Sequence, residues 1–293
     1  FHIALYVGAA AVLLPAFAPP DLAELVDREK PTMLFVGPPH AAAMLNAELM
    51  DKFDFSSVRL TIFSGSHCPP ELLRAYHGKV GGGAIGQLWG MTEIQAGTIT
   101  RPDDDLEIPL RSAGRPAPGN EVRVVLQETG EALPPHTEGE LQVRGASVFP
   151  GYLDNPEANA EAFADEGWFR TGDLAQIDEA GNLALTGRTK DIINRGGVKY
   201  NPADIEDLLL AHPKIQQVAI VPMPDPVLGE RACCFATLLP DQMTSLDDLC
   251  AYLEDHKVSK NKWPERLELI DEMPLTPTRK IIKGKLAERL VGD

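Results

Sequence analysis

Gly187-Arg188-Thr189-Lys190-Asp191-Ile192-Ile193-Asn194-Arg195-Gly196-Gly197-Val198-Lys199-Tyr200 is the stretch whose reading decides the fold of this chain. It joins two cations to an apolar strand and a Gly-Gly turn, and it runs into Asn201-Pro202-Ala203-Asp204. Asn201 offers a side-chain oxygen to the first N–H groups of a helix, Pro202 suits its first position, and Asp204 sits near the positive end of its dipole. Ile205, Leu208 and Leu209 give that helix an apolar stripe.

Downstream, residues 215–221 and 231–239 read as strands, and 266–270 as a third. Ser245-Leu246-Asp247-Asp248 resembles a capping box and predicts a helix to about His256, with a last helix over 281–290. Upstream, residues 112–187 carry short alternating runs, such as Glu121-Val122-Arg123-Val124-Val125, separated by turns such as Asp178-Glu179-Ala180-Gly181-Asn182. That spacing predicts a small barrel or sandwich. Further upstream, residues 21–51 read as helical and 58–63 as a buried strand ending at Ser64-Gly65-Ser66. A helix near 70–77 and a second strand ending at Trp89 follow, a strand–helix–strand order that suggests a parallel α/β layer. The apolar run over 3–18 predicts a buried helix and then a strand over 10–14; with no basic leading segment it does not read as a secretion signal, and it is short for a membrane span. The expected fold class is thus an α/β plus β-barrel N-terminal part with a small α+β C-terminal domain, divided at 1–111, 112–187 and 188–293.

With 44% apolar side chains over 293 residues the chain can bury a substantial core. A net charge of −16 argues against a nucleic-acid partner, since phosphate binding needs a basic face. Cys68, Cys233, Cys234 and Cys250 form no CxxC pair and have no nearby histidine at metal spacing, which fits a reduced, cytoplasmic protein. Oligomeric state is not fixed by these features.

Three more segments stand in order around the central stretch: Gly86-Gln87-Leu88-Trp89-Gly90-Met91-Thr92-Glu93, Arg170-Thr171-Gly172-Asp173, and Pro274-Leu275-Thr276-Pro277-Thr278-Arg279-Lys280. Together with the stretch at 187–200 they resemble the adenylate-forming superfamily of acyl-CoA synthetases, adenylation domains and luciferase-type enzymes. The resemblance implies ATP, Mg²⁺ and CoA as reaction partners of a carboxylic acid. The acid is first joined to AMP, which gives a carboxylate a good leaving group, and then passed to a thiol.

The resemblance also implies roles for residues. Gly65, Ser66, Gln87, Leu88, Trp89, Gly90, Met91, Thr92, Asp173 and Arg188 would bind AMP or ATP. Trp89 offers a flat ring to adenine, a contact worth about 1–3 kcal/mol. Thr92 would touch the α-phosphate and Glu93 would hold Mg²⁺, which favours carboxylate and phosphate oxygens. Asp173 can accept both ribose hydroxyls, with Arg188 as the second ribose contact; read without the resemblance, they are a turn cap and a surface salt bridge. Lys280 would stabilise charge developing in the adenylation step, so Lys280, Thr92 and Glu93 are the catalytic candidates. Read without the resemblance, most of the cations Arg279, Lys280, Lys283, Lys285 and Arg289 are a solvated helix face. Gly196, Gly197 and Lys199 would line the path of a CoA pantetheine arm, and Lys190 matches a hinge about which the C-terminal domain swings between half-reactions.

Departures from the family pattern are Arg279 in place of the usual Gly, and Ser66 and His67, the latter reading as a rim residue. Gly81-x-Gly83-x-x-Gly86 satisfies a dinucleotide-binding pattern, but it follows a helix and precedes a strand, so it reads as a turn. The superfamily's Ser/Thr/Gly-rich phosphate loop ending Pro-Lys-Gly does not occur in these residues, and the resemblance covers about the C-terminal half of such an enzyme. The favoured function is an acid–CoA ligase for an aromatic, alicyclic or medium-chain acid. Alternatives are an adenylation enzyme that loads a carrier protein, and an inactive fragment that only binds AMP.

Overall fold

A computed structural model describes residues 2–66, 68–276 and 280–290. Packing divides the chain into two compact units. One comprises Phe1–Val122, Val143–Asn155 and Ile177–Ala184, the other Arg123–Gln142, Pro156–Gln176 and Leu185–Asp293.

The first unit begins with helices α1 (His2–Tyr6) and α2 (Pro19–Glu29) and strand β1 (Met33–Val36). Helices α3 (Pro38–Asn46) and α4 (Leu49–Lys52) lead to β2 (Leu60–Ser64), and α5 (Pro70–Lys79) leads to β3 (Ala84–Trp89). Strand β4 (Thr98–Ile99), helix α6 (Glu107–Arg111) and strand β5 (Arg115–Pro116) follow. The sheet runs β1-β2-β3-β4-β5, with β1, β2 and β3 parallel and β4 and β5 antiparallel. Helical crossovers put Ala41, Met44, Leu73 and Tyr76 over the sheet, where all four are fully buried. Tyr76 lies edge-on to Phe63 at 5.1 Å and shares a 3.2 Å hydrogen bond with Thr61, so its one polar atom is satisfied inside the core.

Two expectations for this region are corrected. Residues 21–51 are not continuously helical, because Met33-Leu34-Phe35-Val36 forms β1. Its alternating burial is a strand signature, but four residues between two helical runs are too few to stand out in the sequence. Residues 10–14 form no strand, and the run is not buried as expected: Leu5 on α1 is 60% and Leu13 73% exposed. A strand needs a ladder partner, and among the described residues no strand pairs with 10–14.

A second sheet, of four strands, has the order β6 (Asn120–Val125), β7 (Gly139–Gly145), β8 (Phe169–Ile177), β9 (Leu183–Arg188); helix α7 (Pro156–Ala162), which the sequence reading passed over, lies between β7 and β8 in the chain. Its strands are divided between the two units. In the second unit Arg123 lies over the Trp168 ring at 4.2 Å and donates to Gln142.

The rest of the second unit is α+β. Strands β10 (Ile193–Arg195) and β11 (Val198–Tyr200) form a hairpin, followed by α8 (Ala203–Leu210), β12 (Ile215–Asp225), β13 (Gly229–Leu238), α9 (Leu246–Asp255), β14 (Arg266–Leu269) and α10 (Lys283–Leu290). The sheet order is β11-β10-β13-β12, with β14 parallel to β13. Cys233 and Cys234 show why β13 reads as an unbroken apolar run. Cys234 packs with Ile205, Leu209 and Leu253 of α8 and α9, while Cys233 packs with Leu286 and Leu290 of α10. Both faces of the strand are therefore covered. The expected capping box is formed: the Asp248 N–H donates to Ser245 Oγ at 3.1 Å, and the Ser245 N–H to Asp248 at 3.2 Å. At α8 the Asn201 side-chain oxygen accepts the Ala203 N–H at 3.1 Å, although the backbone turns helical one residue later than the sequence suggests.

Candidate functional site

Parallel strands β2 and β3 end side by side, with Ser64 opposite Leu88. Gly65, Ser66 and the segment Gln87–Glu93 therefore share the carboxyl edge of the sheet, where α/β layers present their loops. Gln87 is pinned at both ends. Its N–H donates to Thr100 Oγ1 at 2.9 Å, and its side-chain amide donates to the Pro109 carbonyl. Trp89 is 6% exposed and backs onto Gly97; a Cβ added at Gly97 would lie 2.2 Å from Cζ3 of the indole. The chain then folds tightly: the Gln95 N–H donates to the Met91 carbonyl at 2.7 Å, and a Cβ at Gly90 would fall 1.8 Å from the Gln95 oxygen. Only glycine fits at 90, which explains that position in the motif independently of any ligand.

This tight turn leaves Thr92 exposed and Glu93 half-buried. The Glu93 carbonyl accepts the Phe149 N–H at 2.8 Å, and its carboxylate accepts the Tyr152 hydroxyl at 3.0 Å. Burial and the Glu93 carboxylate raise the Tyr152 phenol, so it remains a donor at neutral pH. The sequence reading did not single out Tyr152 or Gly97; the exposed aromatic after Pro150-Gly151 is the signal that would have found the former. Gly81 and Gly82 lie between α5 and β3 with left-handed backbone, as a turn should, so the glycine run opens a strand and not a helix.

Among the described residues no group of three His, Cys, Asp or Glu side chains is arranged to hold a metal. A single carboxylate at a loop edge nevertheless fits Mg²⁺ bound mostly through phosphate oxygens, because that ion uses one or two protein carboxylates and keeps the rest of its shell for water and substrate.

In the second unit, Asp173 on β8 and Arg188 at the end of β9 form an ion pair of 2.8 Å, with side-chain exposures of 12% and 45%. Thr171 donates to the Leu141 carbonyl at 2.8 Å and accepts the Asp173 N–H at 3.1 Å, and Thr189 donates to the Gly172 carbonyl at 3.2 Å. The Thr-Gly-Asp turn is thus held from both sides. Lys190 is exposed in a single 3-10 turn, Thr189–Asp191, that leads into β10.

Gly196 and Gly197 have φ of +60° and +88° and form the two-residue turn of the β10–β11 hairpin, with Arg195 paired to Val198. Positive φ at both positions is the demand of a type I′ turn, so local geometry alone calls for glycine. Lys199 is exposed, and its Nζ lies 3.5 Å from the Glu128 carboxylate. Lys280 is exposed. Its N–H donates to Thr276 Oγ1 at 3.0 Å, the Thr276 N–H donates back to its carbonyl at 2.8 Å, and Leu275 pairs with Ile281. His67 and Arg279 lie outside the described residues. Lys283, read from sequence as part of a solvated face, is instead only 24% exposed and paired with Glu206 at 2.7 Å, because α8 and the turn at 189–191 bring carboxylates to it. A separate polar cavity of about 410 Å³, lined in part by Arg123, Glu128, Glu140, Gln142, Asp165 and Arg170, contains none of the expected site residues.

This architecture has known counterparts. Residues 1–153 match the AMP-binding enzyme family, and residues 204–280 match the AMP-binding enzyme C-terminal domain. The medium-chain fatty-acid–CoA ligase of Escherichia coli (strain K12) is 36% identical over 286 residues, covering 97% of this chain and 50% of that protein. The 2,3-dihydroxybenzoate-AMP ligase of Bacillus subtilis (strain 168) is 35% identical over 288 residues, 98% of this chain and 52% of that protein. The crystal structure of ATP-bound MatB from Rhodopseudomonas palustris superimposes with a TM-score of 0.90 at 28% identity, over 98% of this chain and 56% of that one. The chain spans about half the length of the relatives it matches. By sequence and by fold, the chain belongs to the AMP-binding enzyme family, of the adenylate-forming acyl-CoA synthetase type.

Proposed function

We propose that this chain carries the AMP-contacting and thiol-transfer machinery of an acid–CoA ligase, whose substrates are ATP, CoA and a medium-chain, aromatic or alicyclic carboxylic acid. The observation that carries the reading is the Asp173–Arg188 pair on its braced Thr-Gly-Asp turn. A nearly buried carboxylate fixed by a guanidinium is a preorganised acceptor for two vicinal hydroxyls. The medium-chain and aromatic classes are supported by relatives named for medium-chain fatty acids and for 2,3-dihydroxybenzoate.

In the first step a carboxylate oxygen attacks the α-phosphorus of ATP, the bond to the β-phosphate breaks, and pyrophosphate leaves. Trp89 stacks on adenine, while Gly65, Ser66, Gln87, Leu88, Gly90 and Met91 shape the pocket. Thr92 donates to the α-phosphate, and Asp173 and Arg188 hold the ribose. Glu93 is the carboxylate for Mg²⁺, which when bound neutralises phosphate charge. Lys280 supplies a cation to charge that builds up on the α-phosphate and the attacking carboxylate. In the second step the CoA sulfur attacks the acyl carbon, the bond to AMP breaks, and the thiol proton passes to solvent. Gly196, Gly197 and Lys199 flank the pantetheine arm, and Lys190 is the pivot between the steps. The C-terminal part from 188 onward acts as the mobile domain, apart from an α/β part over 1–111 and a barrel part over 112–187. Four cysteines free of disulfides fit a cytoplasmic setting, and among the described residues no helix is long and apolar enough to cross a membrane.

The test is mass spectrometry of a mixture of the protein, ATP, Mg²⁺, CoA and a panel of acids. Acyl-CoA is the expected product. AMP binding without any adenylate or thioester would overturn the ligase reading, and a thioester formed on a carrier protein but not on CoA would change the acceptor.

A further inference from the structure

Lys283 stands where electrostatics disfavours it. It is the first residue of α10, at the positive end of the helix dipole, and it is mostly withdrawn from water. Two carboxylates compensate. Its Nζ lies 2.7 Å and 3.0 Å from the two oxygens of Glu206 on α8, and 3.5 Å from Asp191. Glu206 is further fixed by the Ile220 N–H. Asp191 directly follows Lys190, the proposed pivot, and Lys283 is three residues beyond Lys280. Between Lys280 and Lys283 the backbone is tied down: Ile281 pairs with Leu275, and the Ile282 N–H donates to the Pro274 carbonyl at 2.8 Å. The far side of α10 is anchored by buried Leu286 and Leu290.

We infer that Lys283 is a positioning residue for Lys280. Its clamp on Glu206 and Asp191 makes the backbone at Lys280 and the pivot turn a single body, so that a rotation about residue 190 carries Lys280 with it. The inference rests on the proposed roles of Lys280 and Lys190. A salt bridge with only a packing role would stabilise α8 and α10 without linking the two functional segments.

Amide hydrogen exchange on the full chain tests the clamp without requiring turnover. Three variants are compared with the parent: Lys283→Met, Lys283→Arg, and the pair Lys283→Met/Glu206→Met, which removes the carboxylate that the single change would leave buried and unpaired. In both Met variants peptides over 273–283 and 188–194 should exchange about tenfold faster together, with β12 and β13 changed by less than about twofold, and Lys283→Arg should restore the parent pattern. Acceleration of only one of the two segments, of neither, or of the whole unit equally would overturn the inference. In an enzymatic assay Lys283→Met should lower kcat for pyrophosphate release about tenfold with KM for ATP within about twofold, and leave thioester formation from supplied acyl-adenylate unchanged. Equal loss in both half-reactions would also overturn it. Lys280→Ala separates the two readings: normal pyrophosphate release in that variant removes the proposed catalytic role of Lys280, while the exchange result still decides whether the clamp exists.

Discussion

Gly97→Ala is the sharpest perturbation of the nucleotide site, because it adds one methyl group and no charge. The backbone at Gly97 is not left-handed, so alanine is conformationally acceptable there. The obstacle is steric. The new Cβ would sit 2.2 Å from Cζ3, 2.4 Å from Cε3 and 3.3 Å from Cη2 of Trp89. Carbon–carbon contacts settle near 3.5 Å, so the ring must move by about 1 Å or the β4 backbone must give way. Overpacking of this kind costs about 1–3 kcal/mol of stability. If the six-membered ring of Trp89 is the adenine platform, the same displacement removes part of a stacking contact worth about 1–3 kcal/mol. AMP binding should then weaken measurably, by at most the roughly 5- to 150-fold that losing the whole contact of about 1–3 kcal/mol would give. Isothermal titration with AMP, alongside a thermal melt, measures both effects. Trp89→Phe deletes the clashing ring atoms, so the double variant should regain most of the stability lost by Gly97→Ala, with a coupling of about 1–3 kcal/mol. A folded Gly97→Ala protein that binds AMP within about twofold of the parent would refute the stacking argument.

Asp173→Ala should weaken AMP binding by at least about 10- to 100-fold, the loss of one hydrogen bond to a charged group worth about 1.5–3 kcal/mol, while Arg188→Ala at the more exposed partner should cost less; titration of both decides the order. Lys190→Pro should leave pyrophosphate exchange intact and slow thioester formation, because a ring-locked φ stiffens the 3-10 turn; normal rates in both half-reactions would remove the pivot. Alkaline pH should destabilise the fold: burial pushes Cys68 and Cys233 up to about 12, and Tyr76 and Tyr200 likewise, so the folded state holds protons that the unfolded chain releases from about pH 8.5 for thiols and about 10 for tyrosines. That stability is complete below those unfolded values and drains away toward pH 12, so urea midpoints should hold at pH 7.5 and fall by pH 10.5. Gly78→Ala lies in α5 with nothing within 4 Å of the new methyl and should raise stability by about 0.5–1 kcal/mol in a denaturant titration.

Much of the fold was legible because its signals are local. The Ser245–Asp248 capping box and the β3 strand ending at Trp89 each rest on a few neighbouring residues, and each appears where expected. The failures share one cause. Strand β1 is four residues long, and the apolar run at 10–14 has no ladder partner among the described residues, so neither could be judged without knowing which strand lies beside which. The same divide runs through the candidate site. Gly90, Asp173 and Lys280 belong to contiguous motifs. Gly97 under Trp89, Tyr152 on Glu93 and the Lys283–Glu206–Asp191 trio are contacts between segments, and no spacing rule announces them. Glycines also mislead by serving two ends: Gly196 and Gly197 suit a narrow approach to a ligand, yet the turn alone would select them.

Strand β1 closes one side of the five-stranded sheet and has no neighbour on its outer edge among the described residues. Its Met33 and Phe35 are 53% and 62% exposed, and Leu5, Val7 and Leu13 are bared as well. A free row of backbone donors and acceptors flanked by apolar side chains is a template for another strand. The colloidal behaviour of the isolated polypeptide should therefore be governed by this margin, despite a net charge of −16 that would otherwise keep molecules apart. Self-association should rise with concentration and with salt, and Phe35→Lys should suppress it without touching any residue of the nucleotide site.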